Sequence, residues 1–280
     1  MTTYAWFSLW LLLTIFLGMG VFALLAKLTK PVVVACLLLP GTIVSELAYI
    51  FGCLITGGEI RRSKIMPDSK ASDGGQPTTE AQSKLGFFGP LIASTFAIVA
   101  CGAAIVTVNH YMGKSVVHQF AIQSDGMLPP KGSFNEKAPS TAAAAVNYFW
   151  KLVHSQVDLL KRSTDVLSEL KWKDWKVPLF VYLSLCLGVR LSVATRPVRP
   201  TLAAVVLIAG GIAITGALWK KFSDLMNDVW PLLSYVWGLL LLALVATLLL
   251  SGLAALFKAL AGKSGGGGGG GGAKPAAKDK

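Results

Sequence analysis

Long apolar runs alternate with short polar breaks from one end of the chain to the other. A helix needs about 20 apolar residues to cross the roughly 30 Å hydrocarbon core of a bilayer. Six runs approach or exceed that length, over 5–25, 32–56, 87–108, 177–194, 201–218 and 229–257. A seventh stretch, Ser140 to Trp175, has a different pattern. Val146, Trp150, Val153, Val157, Leu160, Thr164 and Leu167 alternate by four and three, which sets one apolar stripe along an α-helix. Lys151, Asp158, Lys161, Arg162, Asp165 and Glu169 fall mostly off that stripe. The pattern predicts an all-α fold: a polytopic membrane helix bundle of about six transmembrane helices, plus one amphipathic helix outside the membrane.

The polar breaks predict how these elements are joined. Lys27 to Lys30 reads as a turn, and Pro31 suits the first turn of the second span. Pro40-Gly41 should bend that span. Glu59 to Ile65 can extend, but the rest of the basic loop 57–85 has little to bury and is expected to be mobile. Asn109 to about Pro139 reads as loop, with Ser140 as candidate N-cap of the heptad helix over 140–175. Phe149, Leu152, Leu159 and Leu170 broaden its stripe, so a partner-binding coiled coil and a helix lying on its own spans or on lipid both fit. Trp172 and Trp175, interleaved with Lys171, Lys173 and Lys176, form an interfacial belt.

In the second half, Arg196-Pro197-Val198-Arg199-Pro200 makes a stiff turn after the fourth span. Ala209, Ala213 and Ala217, flanked by Gly210, Gly211 and Gly216, predict close helix packing along the fifth. Asp228 as N-cap and Pro231 in the first turn open the sixth. The chain therefore divides into spans 1–3 (1–108), an extramembrane part (109–176), spans 4–6 (177–260) and a tail (261–280). Eight consecutive glycines, Gly265 to Gly272, mark that tail as disordered.

Composition sharpens the class. Hydrophobic residues make up 54% of the chain and charged ones only 14%, against about a quarter in soluble domains, which excludes a soluble globular enzyme. The net charge of +12 sits in the breaks. There topology and anionic lipid headgroups account for it, and nucleic acid is not implied. With the N-terminus inside, twelve Lys and Arg lie in the short cytoplasmic segments and the tail, and four in the short external loops. The loop 109–176 is exempt, because loops beyond about 60 residues translocate largely regardless of charge. This predicts a bacterial cytoplasmic (inner) membrane protein with both termini inside. Cys36, Cys53, Cys101 and Cys186 all lie in apolar runs without CxxC spacing and read as small buried hydrophobes.

Two charges break the apolar runs. Glu46 lies in the second span and Arg190 in the fourth. Ionisable residues within a membrane are costly, usually pair, and mark functional sites. At matching depths in parallel helices, these two are a candidate intramembrane ion pair. Around the acid the chain reads Pro40-Gly41-Thr42-Ile43-Val44-Ser45-Glu46-Leu47-Ala48-Tyr49. With histidine at 45 and 49 it would carry the zinc-protease pattern of two His one turn apart with a general-base Glu. Pro40 to Arg62 resembles the motif helix of the intramembrane metalloproteases of the site-2 protease type, with Thr56-Gly57-Gly58 as the turn that follows.

The resemblance implies a β-element after the motif helix, which falls at Glu59 to Ile65, and a later helix opening like Gly89-Pro90-Leu91. It also implies a third zinc ligand, usually Asp, from a later helix. Here both His positions are replaced by Ser45 and Tyr49, and no span carries Asp or His. His110, His118 and His154 lie at non-ligand spacing and read as surface residues. The expectation is therefore no metal, no cofactor and a degenerate motif that lacks its chemistry.

Three functions follow from these residues. The first is a non-catalytic relative of those proteases that holds a membrane partner's helix. The second is a structural or assembly protein that recruits a membrane-protein partner, or a second copy of itself, through the stripe Val146, Trp150, Val153, Val157, Leu160 and Leu167. The third, a small transporter, has only two intramembrane charges and no inverted repeat behind it.

Overall fold

The computed structural model describes residues 2–64, 78–82, 86–123, 142–191, 198–219 and 222–263. In chain order the elements are helices α1 (Thr2–Leu28), α2 (Pro31–Leu37) and α3 (Leu39–Ile55), strands β1 (Glu59–Lys64) and β2 (Thr78–Gln82), then α4 (Phe88–Val108). A π-helical turn (Asn109–Gly113) leads into α5 (Lys114–Gln123), followed by α6 (Ala142–Glu169), α7 (Lys176–Leu191), α8 (Val198–Leu218) and α9 (Phe222–Lys263). The molecule is predominantly helical, as the apolar pattern implies. The exception is the antiparallel β1–β2 pair, in which Glu59 faces Gln82 and Lys64 faces Thr78. The extended segment after the second span thus forms. The helical class holds, and β2, whose polar sequence carries no strand periodicity and pairs through its backbone, is the addition to it. The middle of the loop expected to be mobile, 65–77, lies outside the described residues, as do Ser140, the turn Arg196-Pro197 and the glycine tail.

Among the described residues, four helical stretches are long and apolar enough to cross a membrane: Phe7–Leu28, Phe88–Ile122, Arg199–Gly216 and Asp228–Phe257. The chain is an integral membrane protein. The other two expected spans are shorter as helices. The second run is interrupted at Leu38, which separates α2 from α3 just ahead of Pro40. The fourth, α7, has 16 residues.

Burial in α3 shows why the chain suits lipid. Its inward face is Gly41, Thr42, Ser45, Glu46, Tyr49, Gly52 and Cys53, small or polar for the most part. Leu47, Phe51, Leu54 and Ile55 are exposed. In water that arrangement would be inverted. In a bilayer the lipid tails are as apolar as Leu, so helices associate through close packing of small residues.

Three further expectations are corrected. Residues 109–123 are helix rather than loop. The polar Asn109-His110 pair hides a second apolar face, Val116, Val117 and Phe120, which is buried in the core. Gly113 permits this packing, since a Cβ there would overlap the Phe180 ring of α7. Helix α9 begins at Phe222, so Asp228 is not its N-cap and Pro231 lies inside it. The close packing expected at Gly210 and Gly211 of α8 is absent from the described residues: a Cβ at either would meet open space. Instead α8 buries Ala204 and Val205. Of the cysteines, Cys53, Cys101 and Cys186 are buried as expected, but Cys36 is exposed.

Candidate functional site

The site grows from the interruption between α2 and α3. Proline at 40 has no N–H and its ring crowds the carbonyl one turn back, so a regular ladder cannot run through this point. The neighbouring Leu37 carbonyl accepts hydrogen bonds from two side chains of α7, the Tyr182 hydroxyl at 2.8 Å and the Cys186 thiol at 3.3 Å. Gly41 then sits against the backbone of α7. A Cβ at Gly41 would collide with the Cys186 carbonyl and come within 3.1 Å of the Arg190 Cγ. Pro40 loosens the helix and Gly41 lets α7 approach it.

Beyond that contact, α3 carries Ser45, Glu46 and Tyr49 into the interior. Glu46 is 2% exposed, and Ser45 and Tyr49 are buried on the same inward face. The Ser45 hydroxyl donates to the Thr42 carbonyl of its own helix at 3.3 Å. Tyr49 and Cys53 pack with Ala93 and Ala97 of α4. Next to them a Cβ at Gly52 would fall 2.6 Å from the Ala93 Cα, so α3 and α4 touch nearly backbone to backbone. Both positions where a zinc protease carries histidine are therefore packed, one against its own helix and one against α4. Neutral hydroxyls at 45 and 49 are poor zinc ligands beside His or Cys. Among the described residues, no group of three or more His, Cys, Asp or Glu side chains could hold a metal ion.

Arg190 is 5% exposed near the end of α7. Its stem lies by Gly41, five residues before Glu46, and its guanidinium carbon is 5.1 Å from the centre of the Phe22 ring of α1. The two buried charges thus lie on helices that pack directly together. The platform for the cation, Phe22, had no signal in the sequence: it is one aromatic residue within an apolar run.

The heptad helix forms as α6, two residues later at its start than Ser140 and ending at Glu169. The face it buries is not the expected stripe. Leu159, Ser163, Val166 and Leu170 are buried, and Gln156 accepts a 2.8 Å hydrogen bond from the indole N–H of Trp237 on α9. That face lies about 100° round the helix, one residue earlier at each step. Ser163 hides it from a hydropathy count. The Ser163 hydroxyl bonds its own Leu159 carbonyl at 2.7 Å, and a Cβ at Gly238 would come within 2.8 Å of its oxygen. Of the stripe itself, Val146 and Trp150 are 55% exposed and Val157 is also exposed, while Val153, Leu160 and Leu167 are half-buried. His110, His118 and His154 are exposed, as expected. Trp172 and Trp175 are exposed as well, and the Trp172 indole bonds the Leu167 carbonyl at 2.7 Å, closing the end of α6.

Comparison of the chain with protein-family models, with curated proteins and with solved structures gave no match.

Proposed function

We propose that this membrane protein is a non-catalytic relative of the site-2-type intramembrane metalloproteases, a scaffold that holds a membrane partner. The observation that carries this reading is the state of α3. Glu46 is buried, while Ser45 and Tyr49 fill the ligand positions and pack closely. A catalytic zinc needs about three protein ligands and an open position. The β1–β2 pair after the motif helix, contacting α3, adds support. In this reading the protein lies in a bacterial cytoplasmic membrane and anionic headgroups meet its basic loops. The expected placement of both termini inside is corrected, because α1 and α9 run parallel, Phe7 beside Trp230 and Gly20 beside Leu244, and so end at the same face.

Metal analysis of the purified protein tests it. The expected result is no stoichiometric zinc, with any gain confined to a variant carrying Ser45→His and Tyr49→His together. Stoichiometric zinc in the unaltered protein that disappears in Glu46→Ala would overturn the reading.

A second reading has its own observation. Val146, Trp150 and Val157 stay exposed on α6 while the neighbouring face, about 100° round the helix, is anchored. That leaves an apolar stripe for an assembly partner or a second copy of the chain. Partner capture that is lost on altering this stripe, and indifferent to Glu46→Gln, favours assembly over the scaffold built on α3.

A further inference from the structure

A cavity of about 300 Å³ opens between α1, α4 and α9. Each helix lines it with residues at helical spacing. They are Phe7, Leu11 and Thr14 of α1, Val99, Gly102, Ala103 and Val106 of α4, and Val229, Leu232, Leu233 and Val236 of α9. Leu191 and Ile105, both buried, complete the lining. Trp10, between the α1 residues, ties that helix to α9 through an edge-on contact with Trp237 at 4.9 Å. The geometry points to a binding site for one acyl chain of a bilayer lipid.

Three arguments select that occupant. The first is chemical. Thr14 is the sole hydroxyl among the residues lining the cavity, and it already donates to its own Trp10 carbonyl at 2.7 Å. The walls have little to offer a polar ligand and reward only apolar surface. The second is depth. On α1 and α9 the lining starts within one residue of the beginning of the membrane-spanning stretches, Phe7–Leu28 and Asp228–Phe257, and covers eight residues, or seven steps of rise. At 1.5 Å per residue that is about 10 Å. This is less than the half-thickness of a roughly 30 Å hydrocarbon core. A partner's transmembrane helix would need a groove through both leaflets, whereas a lipid tail enters from one. The third is access. Val99 and Val106 are exposed along the α4 rim, so the opening faces the bilayer. The α4 wall also has room, since a Cβ at Gly102 meets nothing within 4 Å.

The test is photolabelling of the full chain in phosphatidylcholine vesicles containing phosphatidylcholine with a diazirine on its acyl chain. Crosslinks are mapped by mass spectrometry. Labelling is expected to concentrate on Leu11, Val99, Val106 and Val236, well above the exposed Leu249 that reports ordinary lipid contact. Gly102→Phe starts from a Cβ with nothing within 4 Å, places a ring in the cavity and should bring the lining down to the Leu249 level. Gly210→Phe, at an equally open helical glycine outside the cavity, should leave the pattern unchanged. Both variants are checked for the thermal unfolding midpoint of the unaltered protein. If Gly102→Phe lowers that midpoint, Ala103→Leu replaces it with the same expected loss. Labelling no greater at the lining than at Leu249, lining labels that persist in the filled variant, or crosslinks at Val99 and Val106 to a second chain in place of lipid would each overturn the site.

Discussion

The guanidinium carbon of Arg190 lies 5.1 Å from the centre of the Phe22 ring, so a buried arginine of α7 rests on an aromatic face supplied by α1. A cation over a ring is worth about 0.5–1 kcal/mol when exposed and about 2 or more when desolvated. With Arg190 only 5% exposed, the larger value applies. Phe22→Leu keeps apolar volume and removes the ring. It is expected to lower stability in detergent by about 2 kcal/mol, and Phe22→Trp by much less. Equal loss in both variants would mean that Phe22 contributes packing alone.

Glu46 and Arg190 are expected to compensate each other. Both are buried on helices in contact, and the arginine stem passes Gly41. Removing one partner of a buried pair leaves the other charge uncompensated, which costs more than removing both. Glu46→Gln and Arg190→Gln should each destabilise, and the double variant should lose less than their sum by about 0.5–3 kcal/mol. Thermal or chemical unfolding of the four proteins in one detergent checks this. Strict additivity would separate the two charges, with Glu46 acting as a neutral polar group and Arg190 held by Phe22.

Gly41→Ala should be far more damaging than its one methyl suggests. The new Cβ would run into the Cys186 backbone carbonyl, which no rotamer change can move aside. Overpacking of this kind costs about 1–3 kcal/mol. Gly211→Ala on α8, where the Cβ meets nothing, should be neutral or slightly stabilising because alanine is the better helix former. Unfolding midpoints of the two variants, compared in parallel, give the answer. Similar midpoints would mean that α3 and α7 are not in direct contact.

The two faces of α6 should separate cleanly by mutation. Leu159 is fully buried against the bundle, and Leu159→Ala should cost about 2–5 kcal/mol. Trp150→Ser and Val157→Ser, on the exposed face, should change stability by no more than about 0.5 kcal/mol. Reversal of that order would show that the helix is docked by its heptad stripe after all.

Topology is checked by labelling introduced cysteines with a membrane-impermeant maleimide in a background lacking the four natural ones. With α1 and α9 parallel, a cysteine at Ser69 should react only after permeabilisation, and ones at Ser133 and Ser264 should react from outside. Labelling of Ser69 in sealed cells would invert the arrangement.

The sequence by itself determined the class of molecule and the order of its parts. Apolar runs of 18 residues or more cannot be reconciled with a soluble core, and four of them are membrane-length helices. The weakening at Pro40 and the extended stretch from Glu59 were also legible, because both follow from local backbone chemistry. The tertiary structure decided which faces meet. Periodicity ranks faces by hydropathy, but a bilayer rewards large apolar residues on the outside, so small and polar residues mark the interior of α3. On α6, outside the membrane-length stretches, Ser163 joins the buried face because its own helix satisfies its hydroxyl, while Trp150 stays exposed. The continuation of helix through Asn109 depends on the Phe180 ring finding Gly113, a contact between residues 67 positions apart. The ring beneath Arg190, the pair of donors on the Leu37 carbonyl and the cleft between α1, α4 and α9 each join helices distant in sequence. Geometry of that kind exists only once the helices have packed.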